Sequence, residues 1–152
     1  MRFLLAGLAA VTLAGTLAAE PPAKRFGVEA DLKTFPQGTP QEALASVLKA
    51  VEQKRADYIL AHLADPQFVD DRVKLTGHDE LLADTTAKLI GDPGAAKQLQ
   101  RFLKEGEWTT EDATATVTHK EMGDKVVSFR KIDGRWFLQQ PNRKAEKKGA
   151  RE

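Results

Sequence analysis

The chain has no cysteine. That excludes disulfide staples, a cysteine nucleophile and a lipid-bearing N-terminal cysteine, so stability must come from a packed core. Serine is almost absent: Ser46 and Ser128 are the only examples. Neither stands in a nucleophile elbow, and no Gly-rich phosphate loop is present. Neither sign of charge dominates, with 23 Lys and Arg against 22 Asp and Glu. A dedicated nucleic-acid binder would show a basic face on the fold itself, so no nucleic-acid partner is expected. Beyond the first 19 residues, no apolar run approaches the ~20 residues that span a bilayer.

What is present begins with Met1-Arg2 and an uncharged apolar run from Phe3 to Ala19. This is the pattern of a signal peptide over residues 1–19, with the small residues of Thr16-Leu17-Ala18 before a cleavage point after Ala18 or Ala19. The alternative is an uncleaved signal anchor. The expected location is outside the cytoplasm, periplasmic or secreted, with no transmembrane segment left after cleavage. Loss of Arg2 would leave a formally neutral chain. Its tail, residues 141–152, is basic, with Arg143, Lys144, Lys147, Lys148 and Arg151 against Glu146 and Glu152. That tail is expected to be disordered.

Residues 20–38 read as a linker containing Pro21, Pro22, Pro36 and Gly38, with Phe26, Val28, Leu32 and Phe35 able to tack onto a domain spanning 39–140. Thr39-Pro40-Gln41-Glu42 is a helix start with an N-cap, a proline at the first position and a capping-box Glu. Leu44, Val47, Leu48 and Val51 follow at helical spacing. Asp57 reads as the N-cap of a second, shorter helix, although one kinked helix fits equally well. Asp65-Pro66 ends it. Phe68-Val69 and Val73-Lys74-Leu75 read as short strands around Asp70-Asp71-Arg72. A helix over 78–90, capped by Thr76, has Leu81, Leu82, Thr85, Leu89 and Ile90 inward. Asp92-Pro93 starts another helix, which Gly106 stops.

From Glu107 the period changes to alternation. Ala113, Ala115 and Val117 share one face, and Trp108 reaches it only if a bulge or turn intervenes near Glu111-Asp112. Asp133-Gly134 between two strand-like runs predicts a two-residue hairpin. Counting outward places Ile132 opposite Arg135, Lys131 opposite Trp136, Arg130 opposite Phe137 and Phe129 opposite Leu138. Val127, Phe129, Trp136 and Leu138 then share a face that can cover a core. The fold class is α+β: helices first, then an antiparallel sheet of three or more strands.

The run Thr39-Pro40-Gln41-Glu42-Ala43-Leu44, the short helix Asp57-Tyr58-Ile59-Leu60-Ala61-His62-Leu63, and the later Ala113-Thr114-Ala115-Thr116-Val117 and Lys131-Ile132-Asp133-Gly134-Arg135-Trp136 resemble the nuclear transport factor 2-like (cystatin-like, α+β cone) superfamily, in particular its small exported bacterial members. The resemblance covers roughly Thr39 to Gln140. It implies a strongly curved, cone-like sheet around a long helix, with a pocket or dimer face on the concave side. Some members of that superfamily are isomerases, dehydratases or hydrolases, and many only bind ligands or partner chains. The two helices near 78–90 and 92–105 depart from its pattern.

Chemistry-bearing candidates are few. None of the three histidines, His62, His78 and His119, has a second histidine one helical turn away, so no metal and no cofactor are expected. Tyr58 and His62 lie at i, i+4 and can share a helix face; with Asp65 or Asp70 they would form an acid/base set. Asp70-Asp71-Arg72 is a compact charge triplet that reads first as a turn with local hydrogen bonds and an ion pair; it could also hold a ligand anion through Arg72 or bind a cation. Trp108, Phe129 and Trp136 either line a pocket or fill the core. The function expected is a non-enzymatic binding or interaction module for a small molecule or protein, with a homodimer through the sheet as one option. The alternative is a small-molecule lyase, isomerase or hydrolase with its pocket near Tyr58 and His62.

Overall fold

The computed structural model describes residues 24–139. The signal peptide, the first residues of the linker and the basic tail expected above lie outside the described residues. Five α-helices precede a four-stranded antiparallel sheet. The helices are α1 (Pro40–Glu52), α2 (Ala56–Tyr58), α3 (Pro66–Thr76), α4 (His78–Thr85) and α5 (Pro93–Glu105). Two of them continue as single π-helical turns, α2 into Ile59–Leu63 and α4 into Thr86–Ile90. The strands β1 (Glu107–Glu111), β2 (Thr114–Thr118), β3 (Val126–Ile132) and β4 (Arg135–Gln139) form a meander in the order β1-β2-β3-β4. Among the described residues no helix is long and apolar enough to cross a membrane.

Helix α1 starts where its cap says it should. The Thr39 hydroxyl accepts from the Glu42 amide at 3.1 Å, and Pro40 occupies the first position, where its missing N–H costs nothing. The helix ends in a Schellman motif. Lys54 takes φ 58°, its amide donates to the Val51 carbonyl at 3.1 Å, and the Arg55 amide donates to the Ala50 carbonyl at 2.8 Å. This break separates α1 from α2, so the segment is two helices and not one kinked helix. Asp57 does not cap α2. Its carboxylate is bridged by Arg55, with Nε–Oδ1 2.9 Å and Nη2–Oδ2 3.1 Å, and Arg55 itself occupies the cap position without a side-chain bond.

The stretch 67–77 is corrected from strand to helix. Asp65 Oδ1 accepts from the Gln67 amide at 3.0 Å, and Pro66 begins α3, so Asp65-Pro66 is a start signal of the same kind as Asp92-Pro93. Val69 alone is buried in α3, which explains the weak apolar pattern. Thr76 does not cap α4. Its hydroxyl donates back to the Arg72 carbonyl, and Gly77 at φ 89° makes the joint.

β1 and β2 meet through a turn at Asp112-Ala113, which puts Trp108 opposite Val117 and so on the core face. β3 and β4 pair Ile132 with Arg135, Lys131 with Trp136, Arg130 with Phe137 and Phe129 with Leu138; Asp133 and Gly134 between them have φ 49° and 78°. The core face of the sheet, with Ala115, Val117, Phe129 and Trp136, packs on Ala43 and Leu44 of α1 and Phe102 of α5. A second cluster joins Val47, Ala50 and Val51 of α1 to Phe35, Tyr58, Ile59 and Leu63. A third, with Leu60, Ala64, Val69 and Leu81, seats α3 and α4. Helix α1 is therefore shared by two clusters and is buried on most of its circumference.

Residues 24–38 lie along this domain as a strap. Phe35 enters the core and stacks on Tyr58, whereas Phe26 and Leu32 are exposed. Gln37 is buried beside β4: its carbonyl accepts from the Trp136 amide at 3.0 Å, and its Nε2 donates to the Trp136 carbonyl at 2.9 Å. The Leu138 carbonyl accepts from the Asp65 amide at 2.8 Å. The free edge of β4 is thus covered by the strap and by the start of α3, and among the described residues no strand pairs with the outer edge of β1.

Candidate functional site

Tyr58 and His62 sit next to each other, with ring centroids 5.0 Å apart, but they face the strap. The Tyr58 hydroxyl accepts from the Asp31 amide at 2.9 Å. His62 Nε2 lies 2.8 Å from the Val28 carbonyl, which can only accept, so that nitrogen carries the proton and donates. The two side chains are 1% and 2% exposed. Burial pushes the Tyr58 phenol up and the His62 imidazole down, and the charges of Arg135 and Arg25 push His62 further in the same direction. His62 is held neutral.

The π-helical turn explains why the strap settles here. The Ala64 amide bonds the Ile59 carbonyl at 2.8 Å, and the carbonyls of Ala61 and His62 are left at a helix end. Strap side chains satisfy both: Arg25 Nε donates to Ala61 at 3.0 Å, and Gln37 Nε2 donates to His62 at 2.9 Å. Asp70 belongs to the same latch, pairing with Arg25 Nη2 at 2.8 Å. The three residues expected as an acid/base set all hold the chain's own N-terminal segment. A recess of about 390 Å³ beside the strap reaches Tyr58, Asp31 and Asp57, and His62 is not among its lining residues.

The aromatic candidates are core. Phe129 is fully buried, Trp136 is 4% exposed, and Trp108 packs half-buried with its ring centroid 5.9 Å from that of Phe129. They fill the face of the sheet against α1 and α5.

Arg72 is placed differently. It lines a groove of about 740 Å³ between the Ile59–Leu63 turn, α3, α4 with its π-helical extension, and the end of β4. Leu60, Phe68, Leu81, Leu89 and Leu138 form the apolar part of its wall. The polar part includes Asp65, Asp71, Asp84 and Lys88. Asp65 is buried and bonded by Arg130 Nη2 at 2.9 Å, and Asp84 by Lys88 Nζ at 2.8 Å. Two π-helical turns border the groove, a distortion that is frequent at functional sites. Sequence reasoning found Arg72 and named Asp65 but missed Asp84, Lys88 and Arg130; the available signal was Asp65-Pro66 as a helix start, which turns 67–77 into a groove wall.

The remaining histidines lie elsewhere. His119 accepts from the Glu121 amide through Nδ1 at 3.1 Å and donates from Nε2 to Glu105 at 2.9 Å, which holds the Glu105 carboxyl below its ordinary range. Both ring nitrogens are occupied in tying α5 to the short 3₁₀ turn Lys120–Met122. His78 packs its ring on Phe26. Among the described residues no group of three or more His, Asp and Glu could hold a metal ion.

The structure defines an α+β protein, five helices followed by an open four-stranded antiparallel meander. Comparisons with family models, with curated proteins and with solved structures return no match.

Proposed function

We propose that the protein is an exported binding module without catalytic chemistry of its own, and that its ligand lies in the groove between the Ile59–Leu63 turn, α3, α4 and β4. The observation that carries this reading is the groove itself: about 740 Å³, within the usual size of small-molecule sites, with apolar and charged side chains both on its wall. Acid/base turnover at Tyr58 and His62 finds no such support, because both groups are buried against the strap and bonded to its backbone. We further propose kinship with the nuclear transport factor 2-like superfamily and a cone-like curvature of the sheet; the packing of capped α1 on an antiparallel meander supports both.

The test is amide chemical-shift mapping of the isotope-labelled protein against a library of small molecules. Shifts clustered on Leu60, Phe68, Arg72, Leu81 and Leu89 are expected. Hits confined to Tyr58, Asp31 and the strap would move the site and overturn the reading.

A further inference from the structure

Building on the groove as the ligand site, we propose that its ligand is an amphipathic monocarboxylate, an apolar body with one carboxylate held by Arg72. The charges on the wall select the sign. Asp65 is compensated by Arg130 at 2.9 Å and by the Gln67 amide at 3.0 Å. Asp84 is compensated by Lys88 at 2.8 Å. Asp71 and Arg72 have no ion-pair partner among the described residues. These two differ in hydration. Asp71 is exposed, and water serves it; Arg72 is half-buried, with its Nε sealed off without an acceptor, which leaves its two terminal nitrogens as the fork a ligand can reach. A partly desolvated guanidinium short of an acceptor gains more from an incoming anion than a solvated carboxylate gains from a cation.

The shape of that donor set points to a carboxylate, whose two oxygens match the planar guanidinium fork. The surroundings restrict it to one negative charge, because Asp71 and Asp84 border the same groove and would repel a second. The body of the ligand is apolar because Leu60, Phe68, Leu81, Leu89 and Leu138 form the rest of the wall. Arg72 is then the binding residue that chooses the headgroup, and the leucines choose the chain.

Octanoate, 1-octanol and octylammonium share a chain and differ in the headgroup, so they serve as probes on the full protein, read by amide shifts and calorimetry. Octanoate is expected to bind about tenfold more tightly than octanol, the effect of one charge-assisted fork, and octylammonium more weakly than either. Arg72→Gln should abolish the preference for octanoate and leave octanol binding in place, with Arg72→Lys in between. Equal binding of octanoate and octanol to the wild-type protein, or preference for octylammonium, would overturn the headgroup assignment while the groove stands. If none of the three probes shifts Leu60, Phe68, Leu81 or Leu89, the groove itself is not a site for such molecules and both proposals fall. The comparison of probes on the wild-type protein needs no variant to fold.

Discussion

Lys54 pays a conformational cost that glycine would not. At φ 58° it adopts a left-handed backbone to close the Schellman motif, and its side chain is exposed. A non-glycine residue there costs roughly 1–2 kcal/mol, and glycine's looser unfolded chain returns about 0.4–1 kcal/mol of that. Lys54→Gly is therefore expected to stabilise the protein by about 0.5–1 kcal/mol, measured as a higher urea midpoint with unchanged slope. A lower midpoint would mean that Lys54 makes contacts that outweigh its strain. The same scale shows what a sequence discloses. Thr39 and Asp92 were legible as caps because each hydroxyl or carboxylate bonds an amide two or three residues away. Asp57 was misread because Arg55, two residues earlier, captures both its oxygens. Gln37 gave no signal at all, since the carbonyls it serves are 25 and 99 residues distant.

The joint between α5 and β1 rests on Gly106. A methyl group there would overlap the Phe102 carbonyl and the Val117 side chain, and the first is backbone that cannot move aside. Gly106→Ala is expected to cost about 1–3 kcal/mol, the usual range for overpacking a filled core, with the fold retained. Circular dichroism melts would check it; an unchanged melting temperature would show that the helix end relaxes freely. Among elements, those with strong local periods were legible. α1 and α5 carry apolar faces at helical spacing, and the pairs counted outward from Asp133-Gly134 are those that β3 and β4 form. α3 was not legible, because only Val69 of its residues is buried and the pattern that distinguishes helix from strand is correspondingly thin. The groove was missed with it: its walls come from the Ile59–Leu63 turn, α3, α4 with its π-helical extension and β4, and no local pattern marks residues brought together from so many segments.

Across the whole molecule, the strap, the end of α2 and β4 are joined around one neutral histidine, and this gives the protein an acid limit. His62 donates to the Val28 carbonyl and is hemmed in by Tyr58, Arg25 and Arg135, so the folded state resists its protonation, chiefly through burial. An unfolded chain takes that proton near pH 6.5. Its folded pKa being depressed, the stability His62 contributes is complete above about pH 6.5 and is lost as pH falls from there towards the folded pKa, at no more than about 1.4 kcal/mol per pH unit. The carboxylates with lowered pKa, Asp31, Asp57 and Glu105, act in a separate window. Their contributions hold above the ordinary carboxylate range and fade only as pH drops below about 4. Urea midpoints measured from pH 7.5 to 5 should therefore fall in the wild-type protein. His62→Gln keeps an N–H able to reach Val28 and does not titrate, so its profile should be flatter in that interval even if its stability at pH 7.5 is lower. Protection of the Val28 and Asp31 amides from hydrogen exchange should decline with the wild-type midpoint as the strap loosens. Parallel profiles for the two proteins would show that the strap is held without regard to the charge on His62, and the acid limit would then belong to the carboxylates alone.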